Sequence, residues 1–216
     1  MLKRLQNLLF PPKCLFCNTL LSKDQTDLCH HCWETAPLFE KSKIRFSFVA
    51  RWTGVWYYKD NVRASILRYK FGRKRSYAKA YGKFLAMKLQ RVGMDQFDLL
   101  TWVPISRRRK FARGFDQVEL LAREVARQLD VPCVRTLRKI RHTPPQSGMG
   151  DASHRRANVL GAYRAEDPAG VKDQHILLLD DIITTGSTVS ECAKSLMLAG
   201  AKAVDVAVLA VASHEK

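Results

Sequence analysis

The sequence predicts an α/β protein, a parallel sheet flanked by helices, preceded by a small cysteine-rich module. Three observations carry this. From about residue 98 onward, short apolar runs alternate with segments whose apolar residues have helical spacing. The runs are continuous rather than alternately polar and apolar, which marks strands buried on both faces. Four of the six cysteines fall within the first 32 residues, a stretch with few periodic apolar positions.

The elements follow in order. Residues 1–10 carry Lys3 and Arg4 and a few apolar residues, and read as a short amphipathic lead-in rather than a signal peptide. No apolar run approaches the length of a membrane span, so a cytoplasmic protein is expected. Residues 46–58 are aromatic and β-branched with Gly54 inside, which suggests two strands or a hairpin. Residues 62–69 and 77–92 have helix-spaced apolar positions. Residues 98–103 form an apolar run that stops at Pro104, and predict a buried strand. A helix over 116–129 would bury Val118, Leu121, Val125 and Leu129, and a short strand would follow at 131–134. Pro144, Pro145, Gly148 and Gly150 mark 143–154 as a loop. A strand at 176–179, a helix over 187–199 ended by Gly200, and a strand over 203–211 complete the chain.

The chain has 216 residues, 46% hydrophobic and 26% charged, the balance of a folded protein rather than a disordered one. Two domains are expected, a zinc-binding module at 1–40 and an α/β domain at 41–216. The module is read from Cys14-Leu-Phe-Cys17 and Cys29-His-His-Cys32, two knuckles eleven residues apart. Each brings two thiolates to one ion, and together they close a tetrahedral four-sulfur shell for structural Zn²⁺. Four reduced cysteines without metal are the alternative. Cys133 and Cys192 stand alone and read as packed small hydrophobes.

Net charge is +17, a field that attracts polyanions; a basic solvated surface without a partner is the alternative. The cations cluster. Arg63, Arg68, Lys70, Arg73, Lys74 and Arg75 form one group, interleaved with Tyr57, Tyr58, Tyr69, Phe71 and Tyr77. Aromatic rings among cations suit single-stranded nucleic acid. Arg107, Arg108, Arg109, Lys110 and Arg113 form a second group, and Arg135, Arg138, Lys139 and Arg141 a third.

Residues 176–188 hold the most informative pattern. A buried strand ends in Asp180 and Asp181. The turn contains Thr184, Thr185 and Gly186, and a helix opens at Ser187 and Thr188. Ligands of open α/β sheets sit at the carboxyl ends of strands, and a helix N-terminus favours phosphate. Gly186 lets the backbone close on phosphate oxygens, the hydroxyls add donors, and the two carboxylates can accept from ribose hydroxyls. A ribose 5-phosphate site is therefore expected here.

These residues resemble the phosphoribosyl pyrophosphate (PRPP) motif of type I phosphoribosyltransferases. The whole chain is similar to the ComF/GntX competence-protein family, which joins a four-cysteine zinc module to a type I phosphoribosyltransferase-like domain. The landmarks are the cysteine quartet, residues 67–73 (Leu-Arg-Tyr-Lys-Phe-Gly-Arg), Val103-Pro104, residues 113–117 (Arg-Gly-Phe-Asp-Gln), Thr143 with Gln146, Arg155 with Asn158, and residues 180–188. The resemblance implies a pyrophosphate loop at Pro104, Arg107, Arg108, Arg113 and Gly114. It also implies a substrate-covering lid bearing Thr143, Gln146 and Arg155, and Mg²⁺ bound with PRPP. Departures exist. Asp116 stands where the family usually has Asn, and Met149 stands near a common leucine. Thr184 replaces the aspartate base of hypoxanthine-type enzymes.

Two functions follow as expectations. One is a PRPP-binding, DNA-handling protein of DNA uptake, natural transformation or use of external DNA, with single-stranded DNA on Arg68, Lys70, Arg73, Lys74 and Arg75 and with competence or DNA-processing proteins as partners. The other is a phosphoribosyltransferase of nucleotide salvage, transferring ribose 5-phosphate from PRPP to a nitrogen base. No segment predicts a particular base, and no helix-turn-helix signature supports a transcription regulator.

Overall fold

The computed structural model describes residues 11–141 and 159–212. Along the chain run α1 (His30–Thr35), β1 (Trp52–Tyr57), α2 (Asp60–Phe71), α3 (Tyr77–Arg91), β2 (Leu99–Trp102), α4 (Arg107–Arg113) and α5 (Gln117–Leu129). Then come β3 (Leu137–Lys139), β4 (Tyr163–Ala165), α6 (Pro168–Val171), β5 (His175–Ile183), α7 (Ser187–Leu198) and β6 (Ala203–Val211). The main sheet has the order β1-β6-β5-β2, with every pair parallel. Short β3 and β4 pair antiparallel beside it.

Strand periodicity explains the continuous apolar runs. Successive side chains on a strand point to opposite faces. On β5, Ile176 and Leu178 enter one core with Val204, Val206 and Val208 of β6 and with Val189, Cys192 and Leu196 of α7. Leu177 and Leu179 enter the other, beneath α2, α3 and α5. Both faces are covered, so neither set can be polar. Of the expected α5 stripe, Val118, Leu121 and Val125 are fully buried, while Leu129 at the helix end is only partly buried.

Several boundaries differ from expectation. Residues 46–58 form no hairpin; one strand, β1, lies parallel against β6. Parallel docking is tight at Gly54, where a Cβ would come within 2.6 Å of a Val211 methyl. Phe46 instead packs its ring on Trp52, with centroids 4.9 Å apart. Residues 131–134 make only a parallel bridge, Leu100 to Cys133. Pro132 offers its carbonyl to Leu100 at 2.9 Å but has no N–H to extend a ladder. The strand expected at 176–179 runs on to Ile183, so Asp180 and Asp181 sit within it.

The cysteine module shares the core of the sheet domain. Leu15, Phe16 and Leu28 lie in the same buried cluster as Val55, Trp56 and Leu85. The Phe16 and Trp56 rings meet edge-on at 5.1 Å. Polar contacts on α2 fix the seam: Ser65 donates to the Leu15 carbonyl, and Arg68 Nη2 donates to the Leu15 carbonyl at 3.0 Å and to that of Phe16. Lys83 pairs with Asp27 at 3.0 Å. Arg68→Met removes charged donors from two carbonyls at this seam. It should cost about 2 kcal/mol in urea unfolding with an unchanged m-value; no loss of stability would show that the seam does not depend on Arg68.

Candidate functional site

A cavity of about 450 Å³ opens where β2 and β5 end. The floor comes from β5, which delivers Asp180 and Asp181, then turns through Thr184 and Thr185 into α7. Gly186, at φ 74°, is the N-cap of α7. The ring of Phe46 lies where a Cβ at Gly186 would be. Glycine is thus required there for its left-handed backbone and for this close approach. Thr185 Oγ1 and Ser187 Oγ lie 2.9 Å apart in the turn. Thr184 and Thr188 also line the cavity, so the five turn and helix-start residues singled out in the sequence share one wall. The positive dipole end of α7 lies in that wall.

The two carboxylates have unequal surroundings. Asp181 is buried, and both of its oxygens are occupied: Lys70 Nζ lies 2.9 Å from Oδ1, and Gln117 Nε2 donates to Oδ2 at 2.8 Å. Burial opposes its charge, but Lys70, the Gln117 hydrogen bond and nearby Arg113 prevail and hold it below the usual carboxylate range. Asp180 accepts from the Asp181 backbone N–H, at 2.8 Å, and stays partly open to the cavity. Burial, and then the Asp181 charge, push it up to about 8. Asp181 is therefore committed to contacts within the protein, and Asp180 is the carboxyl left facing the cavity.

The opposite wall is basic. After β2, Pro104 and Ile105 lead into α4, capped by Ser106 at one end and by left-handed Gly114 at the other. Asp116 caps α5 by accepting from Val118 and Glu119, and also accepts from Ile105, which ties this loop to α5. Arg109 and Arg113 of α4 and Lys139 of β3 reach the cavity. Burial lowers Arg113 and Lys139 from their ordinary values. Of the expected pyrophosphate-loop residues, Pro104 and Arg113 line the cavity. Arg107, Arg108 and Gly114 are exposed and do not line it, because the helical turn of α4 carries Arg109 inward instead. The expected lid residues Thr143, Gln146 and Arg155 lie outside the described residues.

The basic group at 68–75 divides. Arg68 is turned to the cysteine module and Lys70 to Asp181, so neither belongs to an outer surface. Arg73, Lys74 and Arg75 are exposed. Among the interleaved aromatics, Tyr69 is fully buried and donates its hydroxyl to the Gln117 carbonyl at 2.6 Å. Gln117, Arg109, Lys139 and Tyr163 line the cavity although the sequence did not assign them to the site; Arg109 and Lys139 stood out only as members of basic groups. Gln117 had one signal: it follows the helix-capping Asp116, in the Arg-Gly-Phe-Asp-Gln landmark. Lys139 had only its place in the third basic group, and Tyr163 had no signal, since the β3–β4 pair that presents them is too short to show periodicity.

The four sulfurs of Cys14, Cys17, Cys29 and Cys32 lie within 4.8 Å of one another, with Cys17 and Cys29 at 3.6 Å. Zinc–sulfur bonds of ordinary length in a tetrahedron would separate sulfurs by about 3.8 Å, so the set fits a structural Zn²⁺. His30 instead pairs with Glu34 at 3.2 Å. Zinc-replete protein should contain one ion per chain, and Cys32→Ser should lower both the zinc content and Tm. An unchanged zinc content would overturn this ligand set.

Asp180 generates a pH prediction. A carboxyl raised on folding binds more protons folded than unfolded, so it costs stability as pH climbs from the ordinary carboxylate value of 3.8 to about 8. Asp180→Asn should raise Tm by several degrees at pH 9 and change little at pH 4. A pH-independent effect would contradict the assigned environment.

Two family models match parts of this chain, in the order of the cysteine module and the sheet domain. Residues 5–43 match the double zinc ribbon domain family, and residues 119–216 the phosphoribosyl transferase domain family. The DNA utilization protein YhgH of Escherichia coli K12 is 34% identical over 142 residues, covering 63% of this chain and 61% of that protein. Competence protein F of Haemophilus influenzae is 34% identical over 106 residues, covering 48% of this chain and 46% of that protein. Competence protein ComFC of Bacillus subtilis is 24% identical over 196 residues, covering 87% and 78%. Among solved structures, glutamine PRPP amidotransferase from B. subtilis has 22% identity and a TM-score of 0.46, covering 66% of this chain and 30% of that one. The match to YhgH thus spans about three fifths of that protein's length. The chain is thus a homologue of proteins named for competence and DNA utilization, with one segment similar to double zinc ribbons and another similar to phosphoribosyl transferase domains.

Proposed function

We propose that this chain binds PRPP, or a nucleotide sharing its ribose 5-phosphate, and acts in the handling of DNA during uptake or use as a nutrient. The observation that carries the ligand is the strand–acid–turn–helix wall of the cavity. A 5-phosphate sits at Thr185, Gly186, Ser187 and Thr188, and Asp180 accepts from the ribose hydroxyls. Arg109, Arg113 and Lys139 face the pyrophosphate. Around Asp180 the wall offers carboxylate and hydroxyl oxygens, a donor chemistry that suits Mg²⁺ better than a soft ion. Bound there with PRPP, Mg²⁺ would supply neutralising charge to the pyrophosphate, beside Arg109, Arg113 and Lys139. Thr184 completes the turn and cannot serve as the aspartate base of hypoxanthine-type enzymes.

The DNA half of the reading is supported by the relatives' names and by the exposed cations. A small-molecule salvage enzyme needs no field of +17. The salvage reading keeps the same cavity and adds transfer. There the residues act by holding C1 of the sugar in line with a nitrogen nucleophile and by stabilising the departing pyrophosphate.

Calorimetry with PRPP and Mg²⁺ tests the site. Wild type should bind, and the double variant Asp180→Asn/Asp181→Asn should bind at least ten-fold more weakly; equal binding would remove the assignment. Sustained release of pyrophosphate with one particular free base would favour salvage instead.

A further inference from the structure

Two basic clusters far apart in the sequence meet in space. The Arg113 guanidinium lies over the ring of Phe71, 4.8 Å from its centroid, and Arg75 lies 5.4 Å from that of Phe115. These contacts place the connector between α2 and α3 beside α4. Residues 71–76 and 104–115 together hold eight Lys and Arg and no acid.

The α4 helix has no buried residue. A seven-residue helix is marginal alone, so packing of an apolar face does not explain it. Its caps, the Lys110–Glu119 pair at 3.1 Å and the Arg113–Phe71 contact hold it in place. What it displays outward is Phe111, 92% exposed, between cations; Phe71, 64% exposed, meets the same helix through Arg113. Isolated exposed apolar residues are ordinary. Two exposed rings among the cations of these two segments, beside a cavity lined by Arg109, Arg113 and Lys139, have a shared use. Bases stack on the rings while phosphates meet the cations.

We propose that α4 and the α2–α3 connector form one binding surface for single-stranded nucleic acid, with Phe111 and Phe71 as its stacking side chains. This rests on the DNA-handling reading and names its surface. The surface differs from the one expected at 68–75: it leaves out Arg68 and Lys70, takes Arg73, Lys74 and Arg75, and adds Arg107 and Arg108. A strand held there lies beside Arg113, which also lines the cavity, so surface and cavity adjoin.

Anisotropy titrations of a labelled oligo-dT strand and of a duplex of equal length, at several salt concentrations, test the proposal. Phe111→Ala, whose side chain is exposed and outside the cavity, should fold normally. It should bind oligo-dT roughly ten-fold more weakly with an unchanged salt slope, the effect of one lost stacking contact. Duplex binding should change little. Phe71→Ala should act in the same direction. Arg107→Ala should leave a shallower slope, by about 0.7 for a single strand. If both phenylalanine variants bind oligo-dT like wild type, or lose duplex and single strand equally, the surface is wrong. If wild type binds neither nucleic acid while still binding PRPP, the DNA-handling reading itself fails.

Discussion

The contact between Lys70 and Asp181, 2.9 Å across the wall of the cavity, makes the rest of the site tenable. Two adjacent carboxylates at a strand end repel each other, and burial penalises both charges. Lys70 resolves this by neutralising one of them from a different element. Gln117 takes the remaining oxygen, so the buried charge is paired and hydrogen-bonded rather than isolated. Removing one partner of such a pair costs more than the pair contributes, since the other is left charged in a poor solvent. The neighbouring carboxyl then stays available without carrying the cost of a second buried charge.

That single contact also fixes α2, and α2 has more than one task. Its inner residues Val62, Ile66 and Tyr69 pack on the sheet. Arg68 and Ser65 bind the carbonyls of the zinc ribbon, and Phe71 receives Arg113 from α4. Three consecutive regions, ribbon, cavity and basic patch, therefore meet on one helix. The four-cysteine cluster is a staple in this arrangement. It orders a short segment poor in apolar residues and lets Leu15, Phe16 and Leu28 complete the core above Trp56.

Charge is distributed by role rather than evenly. Lys139, Arg109 and Arg113 face the cavity opposite the acids, and Arg51 closes a separate buried acid, Asp205, at 2.6 Å near the start of β6. Among the exposed cations, Arg73, Lys74 and Arg75 meet those of α4 through the Arg113–Phe71 and Arg75–Phe115 contacts.

Much of this was legible in the chain. Continuous apolar runs specify strands covered on both faces, because period-two side chains must then all be apolar. Two cysteine knuckles specify a closed four-sulfur site, because four thiolates need one ion. Residues 180–188 specify a strand–turn–helix junction, because an apolar run, a glycine turn and a helix start impose it locally. Partnership across the fold was not legible. Lys70 and Arg68 look like members of one basic run, yet two residues apart on a helix they face different neighbours, and only α2's packing decides which. The nearness of Arg113 to Phe71, the selection of Arg109 over Arg107 and Arg108, and the different surroundings of Asp180 and Asp181 all depend on where helices dock. The local sequence determines what each segment can form; long-range packing decides which charges are buried, which are paired and which remain for a ligand.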